Sequence, residues 1–168
     1  MNRKGFTILE VFIATLATAI LGVTLGNVFI VGFRAWDGEY NRASLKRELS
    51  QSLELIAKSL RQAKNIDSLS ESSITFTADL GAGDQSCRVY LYNSSDAEPN
   101  PPYTQSTYSL RWAEGTVTYG SGANLSMNIS QPTTAPFSQS GNVITIDLTA
   151  VKDNQTLRMR TKIRPRNL

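Results

Sequence analysis

The chain has 168 residues, of which 40% are hydrophobic, and it carries 17 basic and 14 acidic side chains but no histidine. This length accommodates one folded domain with an appended segment, and the hydrophobic content excludes a chain that is mainly disordered. The lack of histidine removes the commonest general base and the commonest transition-metal ligand, which disfavours most catalytic schemes. Cys87 is the single cysteine, so an intramolecular disulfide is excluded.

The first element in chain order is a long apolar segment. Between Glu10 and Arg34 lie 23 consecutive uncharged residues, which as a helix would span about 35 Å and could cross a bilayer. The alternative is a secretory signal peptide, with the small residues Ala17-Thr18-Ala19 as a cleavage site. A signal peptide would give way to polar sequence after Ala19, whereas the apolar run continues to Phe33. We therefore predict a membrane-spanning anchor.

Glu10 lies inside this apolar sequence, between Leu9 and Val11. A carboxylate at the centre of a bilayer costs about 2.5–3.5 kcal/mol, so an acidic residue in a membrane segment is expected to have a partner and a function. If the chain were cut after Gly5, the new α-amino group of Phe6 would lie four residues before Glu10. That amine could neutralise the carboxylate within one chain or from a neighbouring chain.

The residues Arg3-Lys4-Gly5-Phe6-Thr7-Ile8-Leu9-Glu10-Val11 resemble the class III leader of type IV pilins and type II secretion pseudopilins. The motif combines a short basic leader, glycine before the scissile bond, an aromatic residue after it and glutamate at the fifth mature position. The resemblance implies cleavage between Gly5 and Phe6 by a prepilin peptidase and N-methylation of Phe6. It further implies that Glu10 pairs with the Phe6 amine of an adjacent subunit during assembly.

The resemblance also implies a function, that of a structural minor pilin or pseudopilin, similar in layout to J-type pseudopilins and W-type minor pilins. Such a subunit is not an enzyme, needs no cofactor or metal, and helps to initiate or cap a filament. Its expected partners are other minor subunits, the major subunit, the prepilin peptidase and the inner membrane, with the C-terminal domain in the periplasm or outside. Glu10 argues against the K-type pseudopilin, which lacks that acidic residue. The alternatives are a tip-exposed pilus subunit that binds DNA or surfaces and, third, a membrane-tethered hydrolase.

Two glycines within the apolar segment have two equally supported interpretations. Gly22 and Gly26 form a small-xxx-small pair, which lets helix backbones approach closely and would suit packing between subunits. Alternatively, the glycines only weaken the helix, since each costs about 1 kcal/mol relative to alanine.

After the anchor the pattern becomes amphipathic and predicts that the helix continues over residues 34–66. Trp36 follows the apolar run directly and is placed by this prediction at the membrane interface. The apolar positions recur at spacings of three and four and should form the face laid against the globular domain; they are Leu45, Leu49, Leu53, Ile56 and Leu60.

The remaining residues, 67–168, predict an antiparallel β domain. Alternating segments indicate strands at Ile74–Thr77, Arg88–Tyr92, Ser109–Trp112, Val117–Tyr119, Leu125–Ile129, Val143–Leu148 and Leu157–Ile163, the last two joined by a turn at Lys152–Gln155. Proline-containing loops are predicted at 94–107 and 131–141. The fold class is therefore α+β, a long helix packed on an antiparallel sheet, with a leader at 1–5, an assembly helix at 6–33 and an extension at 34–66.

The last predicted strand has a row of basic residues on one face, Arg158, Arg160, Lys162 and Arg164, continued by Arg166. Such a row could contact nucleic-acid phosphates or an acidic partner. We favour an exposed strand face whose charges discourage edge pairing or meet the acidic middle of the same domain, where residues 67–149 hold two basic and eight acidic side chains. Nucleic-acid binding would call for aromatic residues beside the charges, and this strand has none.

Asp79 and Asp84 flank Gly81 and Gly83, and oxygen ligands on such a glycine turn could hold calcium or form a plain polar turn. The ligand spacing of a calcium loop is missing, so the turn is favoured.

Overall fold

The computed structural model describes residues 7–81, 83–96, 98–115, 119–153 and 155–166. The chain divides into two compact units, residues 1–40 and 41–168. The helix and strands are α1 (Ile8–Arg61), β1 (Ala63–Leu69), β2 (Ser73–Asp79), β3 (Asp84–Tyr92), β4 (Thr107–Glu114), β5 (Ala123–Ser130), β6 (Phe137–Ser140), β7 (Val143–Lys152) and β8 (Gln155–Ile163).

The first unit contains the apolar part of α1, which has no packing partner within the described chain. Its large side chains are exposed, from Ile8 with 92% of its surface accessible to Phe33 with 72%. By length and composition this helix could cross a membrane. Three threonine hydroxyls bond to carbonyl groups of the preceding turn, which satisfies these polar groups without water; the residues are Thr15, Thr18 and Thr24.

In the second unit the amphipathic part of α1 packs on the sheet, as its spacing predicts. Leu45, Leu49, Ile56 and Leu60 are completely buried, and Leu53 is 6% exposed. They share one hydrophobic core with the inward side chains of the strands, among them Phe76, Val89, Leu91, Leu110, Ile144 and Ile146. Full burial of a large aliphatic side chain contributes about 1.5–3 kcal/mol, so this face of α1 supplies much of the stability of the unit.

The sheet is antiparallel throughout and curls around the helix. β1 to β5 follow one another as neighbours, and β5 and β6 both pair with the same strand, β7, whose remaining partner is β8. The amide of Phe137 at the start of β6 donates to the carbonyl of Glu71 between β1 and β2, at 3.3 Å. Among the described residues β8 has no second strand beside it, so β8 is an edge strand.

Side chains of α1 complete the hydrogen bonding of β5 where that strand diverges from β7. The two strands pair through Ile129 and Ala150. Further back along β5, the Ser52 hydroxyl donates to the carbonyl of Leu125 at 2.7 Å. The Glu48 carboxylate accepts from the amide of Met127 at 3.1 Å. The helix thus supplies hydrogen-bond partners to two backbone groups of β5.

The structure ends the helix earlier than the pattern predicts. α1 stops at Arg61, and residues 63–69 form β1, although the sequence pattern predicts that the helical extension 34–66 includes the first part of this segment. The buried or half-buried residues of β1 are Ala63, Ile66 and Leu69, spaced by three. That spacing imitates a helix because two irregularities interrupt the register of β1 against β2, and each shifts the side-chain alternation.

A second correction concerns the predicted loop 131–141, which contains β6. Three of the four residues of β6 are polar, so the sequence lacks the alternation that is typical of a strand. The segment is a strand because it pairs with β7. Gly141, with φ of 55°, begins the tight turn that joins β6 to β7.

The other strands match their predicted positions and are longer, except the one predicted at Val117–Tyr119. Residues 116–118 lie outside the described ranges, and Tyr119 is in a turn.

Candidate functional site

Four residues of the leader motif, Arg3 to Phe6, lie outside the described residues, so the cleavage and methylation predictions at Gly5 and Phe6 rest on the sequence. The described chain starts at Thr7, directly before α1. The Thr7 hydroxyl accepts a bond from the amide of Glu10 at 3.3 Å, and the Thr7 carbonyl accepts from the same amide at 3.1 Å. Thr7 therefore caps the helix. The sequence contained a signal for this cap, Thr followed three residues later by Glu.

Glu10 stands in the first turn of α1, with its side chain exposed. Within the described residues its carboxylate makes no hydrogen bond or ion pair, so the reciprocal bond of a capping box is not formed. The helix N-terminus favours a negative charge at this position by about 0.3–1 kcal/mol in water. In an apolar medium that contribution is smaller than the cost of the charge, so the carboxylate needs a partner from elsewhere.

Most of the side chains next to Glu10 on the helix surface are small. A depression on this face is lined by Glu10, Val11, Ala14, Thr15, Thr18 and Ala19. Gly22 and Gly26 lie further along the helix, and a Cβ atom added at either would meet nothing within 4 Å. Packing inside the chain therefore does not require glycine at these positions. The two interpretations of the pair, helix packing and helix weakening, both stay open.

Trp36, for which the sequence predicts a position at the membrane interface, has 77% of its surface exposed. It therefore does not serve as a packing residue within the described chain.

The basic row on β8 is placed on an exposed face, and its first member has an internal partner. Arg158 donates two hydrogen bonds to the carboxylate of Asp147 on β7, at 2.8 and 2.6 Å. The Arg160 Nε atom is 3.8 Å from the same carboxylate. The bonds from Arg158, followed by the charge of Arg160, lower the pKa of Asp147 below its ordinary value. The expectation that this row meets an acid of its own domain is confirmed for these two arginines.

The other members, Lys162, Arg164 and Arg166, are exposed and have no anionic partner among the described residues. The cationic surface is therefore concentrated at the end of β8 and in the residues that follow it. Arg166 is held there because its amide donates to the carbonyl of Arg61, at the end of α1, at 3.2 Å.

The two carboxylates of the alternative calcium site bond to other residues. The Asp84 carboxylate pairs with Lys64, and the Asp79 carboxylate accepts from the amide of Gly81 at 3.0 Å. Gly81 and Gly83 both have positive φ, as turn glycines do. This arrangement is a polar turn between β2 and β3.

Cys87 is buried in the core, with no exposed surface. Burial, followed by the nearby charge of Glu114, raises the pKa of its thiol to about 11. The thiol therefore stays protonated, and Cys87 is a packing residue.

One arrangement on the outer face of the sheet was missed by the sequence analysis. The guanidinium of Arg88 lies 4.1 Å from the ring centre of Tyr119, and that of Arg111 lies 4.1 Å from the ring centre of Tyr92. The Tyr90 hydroxyl accepts from the amides of Gly120 and Gly122, at 3.1 and 3.2 Å. These contacts hold the segment before β5 against β3 and β4, and they occupy both arginines of this region.

Comparison of the chain with protein-family models, with curated proteins and with solved structures found no match.

Proposed function

We propose that the chain is a minor pilin or pseudopilin, a membrane-anchored structural subunit that helps to initiate or cap a type IV pilus or a type II secretion pseudopilus. The observation that carries the proposal is the position of Glu10. It is an exposed carboxylate at the start of a fully exposed apolar helix, and the described chain offers it no partner. A cleaved leader would create an amine at Phe6, four residues away, and the leader motif is the one that prepilin peptidases cut.

The layout of the chain supports the same proposal. The apolar part of α1 leaves the domain without burying any of its large side chains, so it is available to a membrane and to neighbouring helices. The globular unit begins at Asn41, and it needs nothing from the apolar part for its core. A helix shared between an anchor and a folded domain is suited to a subunit that moves from a membrane into a polymer.

Processing is tested by coexpressing the chain with a prepilin peptidase and measuring the N-terminal mass. We expect a mature chain that begins at methylated Phe6. A chain that still begins at Met1, or one cut after Ala19, would contradict the proposal.

The role of Glu10 is tested by Glu10→Val, with Glu39→Val as the matched control. Both glutamates are exposed on α1, and Glu39 lies beyond the apolar run. We expect Glu10→Val to insert into the membrane normally and to enter filaments at least about tenfold less, which corresponds to about 1.4 kcal/mol of lost association. Equal incorporation of the two variants, measured on sheared filaments, would refute this role for Glu10.

A further inference from the structure

The cations at the end of the chain form a row on one face, and most of them have no anionic partner in the described chain. Arg88 and Arg111 stack on tyrosine rings, Lys64 pairs with Asp84, and Arg158 pairs with Asp147. Lys162, Arg164 and Arg166 are exposed without an anionic partner in the described chain, and Arg160 has only the 3.8 Å approach to Asp147.

Several acids of the same domain bond to residues near their own positions. Asp96 accepts from the hydroxyl of Tyr108 at 3.2 Å, and Glu114 accepts from the indole of Trp112 at 3.1 Å. With Asp84 and Asp147 paired as well, folding leaves the cationic row largely uncompensated. Like charges held side by side are destabilising unless an opposite charge is placed against them, so this surface suits an acidic partner.

The row also lies on a strand whose outer edge is unpaired. β8 extends over nine residues and pairs with β7 alone among the described strands. Its exposed side chains occur at alternate residues, hence about 7 Å apart along the strand. An extended partner strand has the same repeat, so carboxylates at its alternate positions would meet the cations while its backbone bonds to the free edge.

A protein strand fits this surface better than a nucleic acid. The repeat of the row matches that of an extended protein strand, and Asp147 reduces the positive charge only at Arg158 and Arg160. Residues 155–168 contain no aromatic side chain on which a base could stack.

We propose that β8 and the residues that follow it are the docking edge for an acidic β-strand on the globular domain of a neighbouring filament subunit. This inference rests on the proposed function, because that function supplies the neighbouring subunit. The residues that we assign to recognition are Arg160, Lys162, Arg164 and Arg166.

The test uses the full chain in its native membrane, with a photo-crosslinking amino acid in place of the exposed Thr156. It compares the triple variant Arg160→Glu, Lys162→Glu, Arg164→Glu with the control Lys46→Glu, Arg47→Glu, Lys58→Glu. The control residues are exposed on α1, and the two variants change the net charge equally. Adducts are identified by mass spectrometry, and thermal unfolding verifies that each variant is folded. The single variant Lys162→Glu replaces the triple one if the latter does not fold.

We expect a crosslink to an acidic strand of an identified filament subunit, at least tenfold weaker in the triple variant and unchanged in the control. Replacing the crosslinked acids of that subunit by lysine should restore the adduct to the triple variant. An adduct of equal yield in both variants, or one to nucleic acid, lipid or a non-acidic protein segment, would overturn the inference. Failure of the proposed function is distinguishable, because the unmodified chain would then lack cleavage before Phe6 and would not copurify with any filament subunit.

Discussion

Asp147 determines how much positive charge remains at the start of the basic row on β8. Its side chain is 10% exposed, whereas that of Arg158 is 60% exposed, so the pair lies at the boundary between the sheet and solvent. The charge of Arg158 is largely neutralised by this contact, while that of Lys162 on the same strand is not. The positive charge of the basic row is therefore unevenly distributed in the folded molecule.

The Asp147–Arg158 pair predicts a pH-dependent contribution to stability. The pKa of Asp147 is lowered on folding, so its contribution is present above the unfolded pKa of about 3.9 and is lost as the pH falls through the folded pKa. We expect Arg158→Gln to destabilise the protein only slightly near pH 6, because solvent screens the exposed arginine. Urea unfolding at a series of pH values measures the difference, which should disappear when Asp147 is protonated in the folded state.

Lys162→Gln is the control for this prediction. Lys162 lies on the same strand and has no anionic partner in the described chain. The effect of its substitution on the free energy of unfolding should therefore not change as the pH falls. The same pH profile in both variants would mean that the pair does not determine the dependence.

At the scale of elements, the contact between α1 and β5 explains how a sheet can diverge without leaving its backbone unsatisfied. Ser52 is 4% exposed and bonds to the carbonyl of Leu125, while Glu48 bonds to the amide of Met127. The helix therefore has two functions in this unit: it fills the concave side of the sheet with leucines and replaces part of a missing strand ladder.

This contact predicts that Ser52→Ala destabilises the globular unit by about 0.5–1.5 kcal/mol, since the half-buried Leu125 carbonyl would lose its bond to the helix. Ser59→Ala is the matched control. Ser59 is also buried on α1, at 7% exposure, and its hydroxyl bonds only to the carbonyl of Leu55 in its own helix. Denaturant unfolding should separate the two variants, and equal midpoints would contradict the structural role of Ser52.

At the scale of the whole molecule, the two units differ in what they need from their surroundings. The second unit holds every buried residue of the described chain. The first unit exposes its apolar side chains, and its helix is long and apolar enough to cross a membrane.

This difference predicts that a chain starting at Asn41 folds without the apolar helix. We expect residues 41–168 to be monomeric in water without detergent and to melt within a few degrees of the full chain. A chain starting at Gln62 should not fold, because it lacks the buried leucines of α1. Circular dichroism and light scattering test both chains, and aggregation of the longer one would show that the apolar helix contributes to the fold.

The sequence by itself determined the features that depend on residues close together in the chain. These are the apolar helix, its leucine stripe, the hairpin of β7 and β8, and the leader motif on which the proposed function rests. Hydrophobic periodicity and turn residues act over a few positions, so a linear reading detects them.

Only the tertiary structure decided the features that depend on distant partners. β1 and β6 become strands by pairing, although their own patterns do not indicate strands. Ser52 reaches a carbonyl 73 residues away, and Asn41 bonds to Asp153 across 112 residues. The partner of Arg158 is likewise a residue of the neighbouring strand. Which cations stay free, and hence which surface is left for a partner, follows from these long-range contacts because charge is neutralised by neighbours in space.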